Sequence, residues 1–113
     1  MDNCKLKYEL IVTIVNKGFA EEVVEASKKA GAKGGTIMHG RGSGIHENVK
    51  ILGIPIEPEK DIVLTLIDSA KTSEVLEEIY RAVQLGKPGN GLAFVLDVEK
   101  VTGICHMEDS ASS

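Results

Sequence analysis

At 113 residues with 42% hydrophobic content, the chain is long enough to bury a core of its own and too short for two ordinary domains, so a single unit is expected. Its 13 Lys and Arg against 17 Asp and Glu leave a net charge of -4 and a pI near 5.4, which excludes a basic field for nucleic acid and a charged binding tail. No apolar stretch approaches the roughly 20 residues of a membrane span, and the first residues lack the apolar region of a signal peptide, so a cytoplasmic protein is expected.

In chain order, Lys5 to Val15 alternates charged and apolar residues and then runs into β-branched ones, the pattern of a strand exposed at one end and buried at the other. From Phe19 to Ala30, the residues Phe19, Val23, Ala26 and Ala30 recur at helical spacing, with Glu21, Glu22, Glu25, Lys28 and Lys29 facing away and Gly31 as the stop. Gly34 to Gly40 is a short strand candidate. Residues 41–60 carry glycines, prolines and mixed charge with no sustained period, and read as a long flexible connection. Asp61 to Asp68 is a second buried strand. Asp68 or Ser69 caps a second helix with Val75, Leu76, Ile79 and Val83 as its apolar stripe, which stops before Gly86. Leu92 to Val101 is the last strand, and residues 107–113 are expected to be a disordered tail. Cys4 and Cys105 have no metal-type spacing and read as free thiols, with no structural disulfide.

Strand, helix, strand, long loop, strand, helix, strand is the order of a ferredoxin-like α+β domain, an antiparallel sheet with both helices on one face. Ile62, Leu64 and Leu66 alternate with Val63, Thr65 and Ile67, and Leu92, Phe94 and Leu96 with Ala93 and Val95, so both faces of these strands are largely apolar. Two helices cover one face only. At roughly 25 cal/mol per Å² of apolar area, leaving the other in water forfeits some kcal/mol, which predicts a closed homo-oligomer.

Two glycine-rich stretches carry the candidate chemistry. Gly86-Lys87-Pro88-Gly89-Asn90-Gly91 joins a helix to a strand, the reverse of a Walker A loop. Its glycines allow backbone N–H groups to converge into an anion nest beside Lys87; the same residues also serve a plain turn. His39-Gly40-Arg41-Gly42-Ser43-Gly44-Ile45-His46 surrounds one guanidinium with mobile backbone, suited to phosphate or carboxylate or to a flexible loop base. His39 and His46, with Cys105 and His106, invite a metal reading, yet no recognised ligand spacing supports it and no metal is predicted. No Ser-His-Asp set, apolar carboxylate pair or activated cysteine can be argued from spacing, so no catalytic residue is assigned and no enzyme is expected. The arginine-bearing loop that acylphosphatases place after their first strand is replaced here by Asn16-Lys17-Gly18.

"GKPGNGLAFVLDVEKV" resembles the B-loop and following strand of the PII signal-transduction (nitrogen regulatory protein P-II) family, where Gly-Lys-X-Gly-Asp-Gly leads into F-V-x-D-V-E. The order of elements and a long loop after the second strand match as well, so the resemblance covers about residues 5 to 104 and marks a divergent member with a shortened T-loop. It implies a ferredoxin-like trimer that holds adenine nucleotide (AMP, ADP or ATP) in clefts between subunits, senses adenylate and nitrogen or carbon status, and docks a mobile loop on a membrane transporter or metabolic enzyme. The nucleotide residues it implies are Gly86, Lys87, Gly89, Asn90 and Gly91, together with Thr36, Arg41, Gly42 and Gly44. The loop apolar residues Ile51, Leu52, Ile54 and Ile56 would form the partner hook or pack on their own trimer.

Departures from the family pattern sharpen these expectations. Leu92 replaces the basic residue after the last B-loop glycine, Ile45 the arginine that follows the family's Gly-Phe-Gly at the T-loop base, which Gly42-Ser43-Gly44 matches here, and the two C-terminal arginines fall near Gly103 and Cys105. A charge-assisted bond contributes about 1.5–3 kcal/mol, so triphosphate binding should weaken by orders of magnitude unless Arg41, Lys87 or Lys50 substitutes. His46 stands where the family's 2-oxoglutarate and magnesium glutamine would be, and cannot present an amide oxygen. No tyrosine lies between Gly40 and Lys60, which argues against tyrosine modification of the loop. The competing readings are a metal-binding trimer resembling the CutA-type copper-tolerance proteins, and an adaptor whose loop binds a partner without ligand.

Overall fold

The computed structural model describes residues 4–44, 49–106 and 108. Its elements are β1 (Tyr8–Asn16), α1 (Ala20–Lys29), β2 (Thr36–Arg41), β3 (Val49–Ile51), β4 (Ile54–Ile56), β5 (Glu59–Asp68), α2 (Thr72–Ala82) and β6 (Gly91–Val98). Four strands form one sheet in the order β2-β5-β1-β6, every neighbouring pair antiparallel. This is the ferredoxin-like arrangement that the order of elements predicts. Among the described residues, no helix is long and apolar enough to cross a membrane.

Alternation along the strands divides the sheet into two unlike faces. Ile11, Val15, Val63 and Ile67 point to one side, where they meet Val23 and Ala26 of α1 and Val75 and Ile79 of α2, all buried. Leu92, Phe94 and Leu96 point the other way, paired across the ladder with Ile14, Val12 and Leu10, and they stay 51%, 40% and 49% exposed because, among the described residues, no element lies over them. Two buried hydroxyls, Thr13 Oγ1 and Thr65 Oγ1, sit on the helix-covered face without a hydrogen-bond partner.

Several sequence expectations are corrected. Phe19 is exposed: it occupies the N-cap position before α1 begins, and so lies off the helical stripe. Asp68 does not cap α2, since Ser69 to Lys71 intervene; its carboxylate closes a turn on the Ala70 N–H at 3.0 Å. The last strand ends at Val98, and the first starts at Tyr8, where their pairing begins. That pairing also overturns the free-thiol expectation. Tyr8 stands opposite Val98, so the segments before β1 and after β6 leave the sheet side by side, and Cys4 and Cys105 form a disulfide with Cα atoms 4.9 Å apart.

The connection 41–60 contains structure of its own. β3 and β4 pair as a hairpin, Val49 with Ile56 and Ile51 with Ile54, across a two-residue turn at Leu52 (φ 52°) and Gly53 (φ 79°). Positive φ at both positions is the type I′ geometry, which matches strand twist but is unfavourable for leucine. Leu52 nevertheless occupies it with its side chain 96% exposed. Of the tail 107–113, only Glu108 lies within the described residues; the disorder expectation falls outside them.

Candidate functional site

The cleft begins with how α2 gives way to β6. Gln84 takes a left-handed conformation (φ 52°), and Leu85 N–H returns to the Tyr80 carbonyl at 3.0 Å, so the helix closes on itself before the glycines. Lys87 N–H then bonds the Gln84 carbonyl at 3.0 Å and Asn90 N–H the Lys87 carbonyl at 3.2 Å, two successive turns. The Asn90 amide donates to the carbonyls of Gln84 (3.0 Å) and Val83 (3.4 Å), and is thus engaged inside the loop. Gly89 (φ 84°) is free of neighbours where a Cβ would stand, so conformation alone calls for glycine there. Gly91 (φ 138°) faces a second constraint: any Cβ would collide with the Ile14 carbonyl oxygen as β6 joins β1.

Opposite this loop lies the end of β2. Gly40 pairs with Lys60, and Gly42 N–H bonds the Pro58 carbonyl at 3.1 Å, which holds the second glycine run beside the start of β5. Between the two runs is a cleft of about 710 Å³. Gly86, Lys87, Gly89 and Gly91 line one side; Arg41, Gly42 and Gly44 line the other. Ile14, Ile62, Leu85 and Leu92 give it an apolar wall. Thr36 lies outside this lining, exposed on β2 opposite Leu64, on the same sheet face as Gly40 and four residues before it.

Charge distinguishes the cleft from the rest of the surface. Of the described residues lining it, Arg41, Lys60 and Lys87 are cationic and none is acidic, in a chain whose net charge is -4. Lys60 is the residue that sequence reasoning missed. It sits in the central strand β5 and is only 8% exposed, and its ammonium donates to Asn16 Oδ1 at 2.7 Å. Asn16 Nδ2 in turn donates to the Gly89 carbonyl at 3.0 Å, so a short relay ties this buried cation to the glycine loop. Nothing local marks it: a lysine preceding an apolar run reads as a solvated strand end.

His39 belongs to the other sheet face. Its Nδ1 lies 2.9 Å from Asp61 Oδ1, and Asp61 Oδ2 accepts from the N–H groups of Gly18 (2.9 Å) and Ala20 (3.3 Å) at the start of α1. Asp61 therefore does from β5 what no residue of α1's own first turn does, which is to accept the orphan donors of the helix N-terminus. Burial pushes the Asp61 carboxyl upward, but these bonds outweigh it and leave it below the usual carboxylate range. Among the described residues the metal set is not assembled. His46 lies outside the described residues, Cys105 sulfur is spent in the disulfide at the opposite end of the sheet from His39, and among the described residues no three His, Cys, Asp or Glu side chains could hold an ion.

The family model described as nitrogen regulatory protein P-II matches residues 8–108, which spans both glycine runs, both helices and the whole sheet. The chain belongs to the P-II family. No curated protein matches it. As a P-II protein it is a signalling regulator of the kind that acts in nitrogen regulation, and the family consists of regulators rather than enzymes. Of the P-II positions noted above as lacking a cation, Leu92 is an apolar part of the cleft lining, and Cys105 is covalently tied to Cys4.

Proposed function

We propose that this P-II protein binds an anionic small molecule, an adenine nucleotide, in the cleft between the two glycine runs, and regulates a membrane transporter or metabolic enzyme of nitrogen metabolism in the cytoplasm through residues 41–60. The observation that carries this reading is the lining itself: glycine backbone on two sides, an apolar wall for a base and, among the described lining residues, three cations and no carboxylate. Lys60 takes the role that Leu92 cannot. Buried and tied to Gly89 through Asn16, it presents a pre-oriented cation whose interaction with phosphate is poorly screened.

The cleft is continuous with the uncovered sheet face, because Ile14, Ile62 and Leu92 belong to both. A trimer that buries this face would bring a second subunit against the ligand and make binding and assembly mutually supportive. Leu52, held exposed in an unfavourable conformation at the hairpin tip, supports the hairpin as the part that meets a partner.

Isothermal titration calorimetry with AMP, ADP, ATP and cyclic AMP tests the proposal. Heat is expected with at least one nucleotide, a Lys60→Met variant should bind it about 10- to 100-fold more weakly, and ATP should gain little over ADP because the cation after Gly91 is gone. No heat with any of the four would remove the nucleotide reading.

A further inference from the structure

At the end of the sheet away from the cleft lie the segments that flank β1 and β6. Residues 4–7 precede β1, and residues 99–106 and 108 follow β6 without entering the ladder. Among the described residues, two main links hold these segments together, beside a 3.5 Å approach of Cys4 Sγ to the Val101 carbonyl. One is the Cys4–Cys105 disulfide. The other is Glu108, whose carboxylate accepts from Lys5 N–H (2.9 Å), Leu6 N–H (3.2 Å) and the Tyr8 hydroxyl (3.1 Å), with Glu108 N–H returning to the Cys105 carbonyl at 3.1 Å. The packed cluster between sheet and helices draws on residues 11–95 and takes nothing from either segment. The bridge therefore ties down a strap that the core does not need.

The strap has something to cover. Tyr8 lies on the sheet face without helices, yet it is buried, while Leu96, one ladder step away on the same face, is half exposed. Burial and the Glu108 carboxylate both push the Tyr8 phenol upward, as expected of a ring under the strap. Beside it a groove of about 480 Å³ runs between the two terminal segments.

We propose that the Cys4–Cys105 disulfide is a reducible latch: two-electron reduction by a dithiol releases residues 99–106 and Glu108 from the N-terminal segment and uncovers the Tyr8 end of the open sheet face, while the core stays folded. A thiolate of the dithiol attacks one sulfur of the bridge to form a mixed disulfide, and the other cysteine leaves as thiolate and takes up a proton. The second thiol of the dithiol then displaces the remaining cysteine, so that the protein gains two electrons and two protons and the reductant leaves as a cyclic disulfide. Once the bridge is open, the links left to the strap among the described residues are the hydrogen bonds of Glu108 and the approach of the Cys4 sulfur to the Val101 carbonyl, and these compete with water. In a reducing compartment such a bridge forms only transiently, which is the behaviour of a thiol sensor. The inference does not depend on whether the cleft binds nucleotide.

Hydrogen exchange on the full chain, air-oxidised and then treated with dithiothreitol, is the test. Alkylation and mass measurement should find no free thiol before reduction and two after. Reduction should speed exchange of residues 4–7 and 99–106 at least tenfold, leave the amides of β1, β5 and both helices within about twofold, and be reversed by oxidised dithiothreitol. A Cys4→Ser/Cys105→Ser chain should exchange like the reduced protein; if it fails to fold, the reduced natural chain still decides. Unchanged exchange in the strap, loss of protection throughout the molecule, or free thiols in the oxidised sample would each overturn the latch.

Discussion

The two faces of one sheet carry nearly the same kind of residue and do different things. On the helix-covered face, Ile11, Val15, Val63 and Ile67 are sealed under α1 and α2, and polar groups there are either fully satisfied, as Asp61 is, or orphaned, as Thr13 and Thr65 are. On the open face, Leu92, Phe94 and Leu96 have no element laid over them among the described residues, and the same face carries the cleft at one end and Tyr8, bonded to Glu108, at the other. Hydrophobicity thus stabilises the fold where the chain supplies its own cover, and where it does not, assembly and ligand are the uses proposed for it above.

Leu96→Asp should have the largest effect on that contrast. It places a charge on the open face, on the edge strand β6, and light scattering is expected to show the proposed trimer reduced to monomers, while urea denaturation of the monomer shifts by no more than about 0.5 kcal/mol. A variant that remains trimeric would mean that another surface assembles the protein.

Asp61→Ala probes the covered face and should cost about 2 kcal/mol, through the lost acceptor for the N-terminus of α1 and the lost partner of His39. The pH dependence has a definite sign. Because the folded protein holds this carboxyl below its unfolded value, its stabilisation is complete above the unfolded carboxylate pKa of about 3.9 and disappears as pH falls through the lower folded value. Urea midpoints of the natural and Asp61→Ala chains should therefore differ most near neutrality and converge in acid. A gap that widens as pH falls would contradict this assignment.

The smallest effect has the opposite sign. Thr65→Val removes a buried hydroxyl that bonds to nothing and keeps its shape, so stability should rise by about 1 kcal/mol in the same denaturation assay. A loss instead would show that the hydroxyl has a partner, such as an ordered water.

Most of the fold was legible in the sequence because its strands and helices follow clean periods. The stripe Val75, Leu76, Ile79 and Val83 packs as spaced, and the doubled apolarity of residues 62–67 and 92–96 announced a sheet with two apolar faces. The misses share a cause, which is that each depends on a residue distant in sequence. Asp68 looked like a cap because it precedes a helix, yet the carboxylate that serves a helix N-terminus is Asp61, reaching α1 from across the sheet. Cys4 and Cys105 stand 101 residues apart and meet only because β1 and β6 are neighbours. Of the candidate site, the glycine runs and Lys87 were readable as motifs; Lys60 was not.

By itself, then, the sequence determined the elements, their order and the surplus of apolar surface, since periodicity and turn chemistry act over a few residues and are written locally. Only the tertiary structure decided that the two glycine runs share one cleft, that Lys60 stands buried between them and that the chain ends close on each other in a disulfide. Those placements follow from strand order and register, and register is a property of pairs of segments that no single stretch of sequence contains.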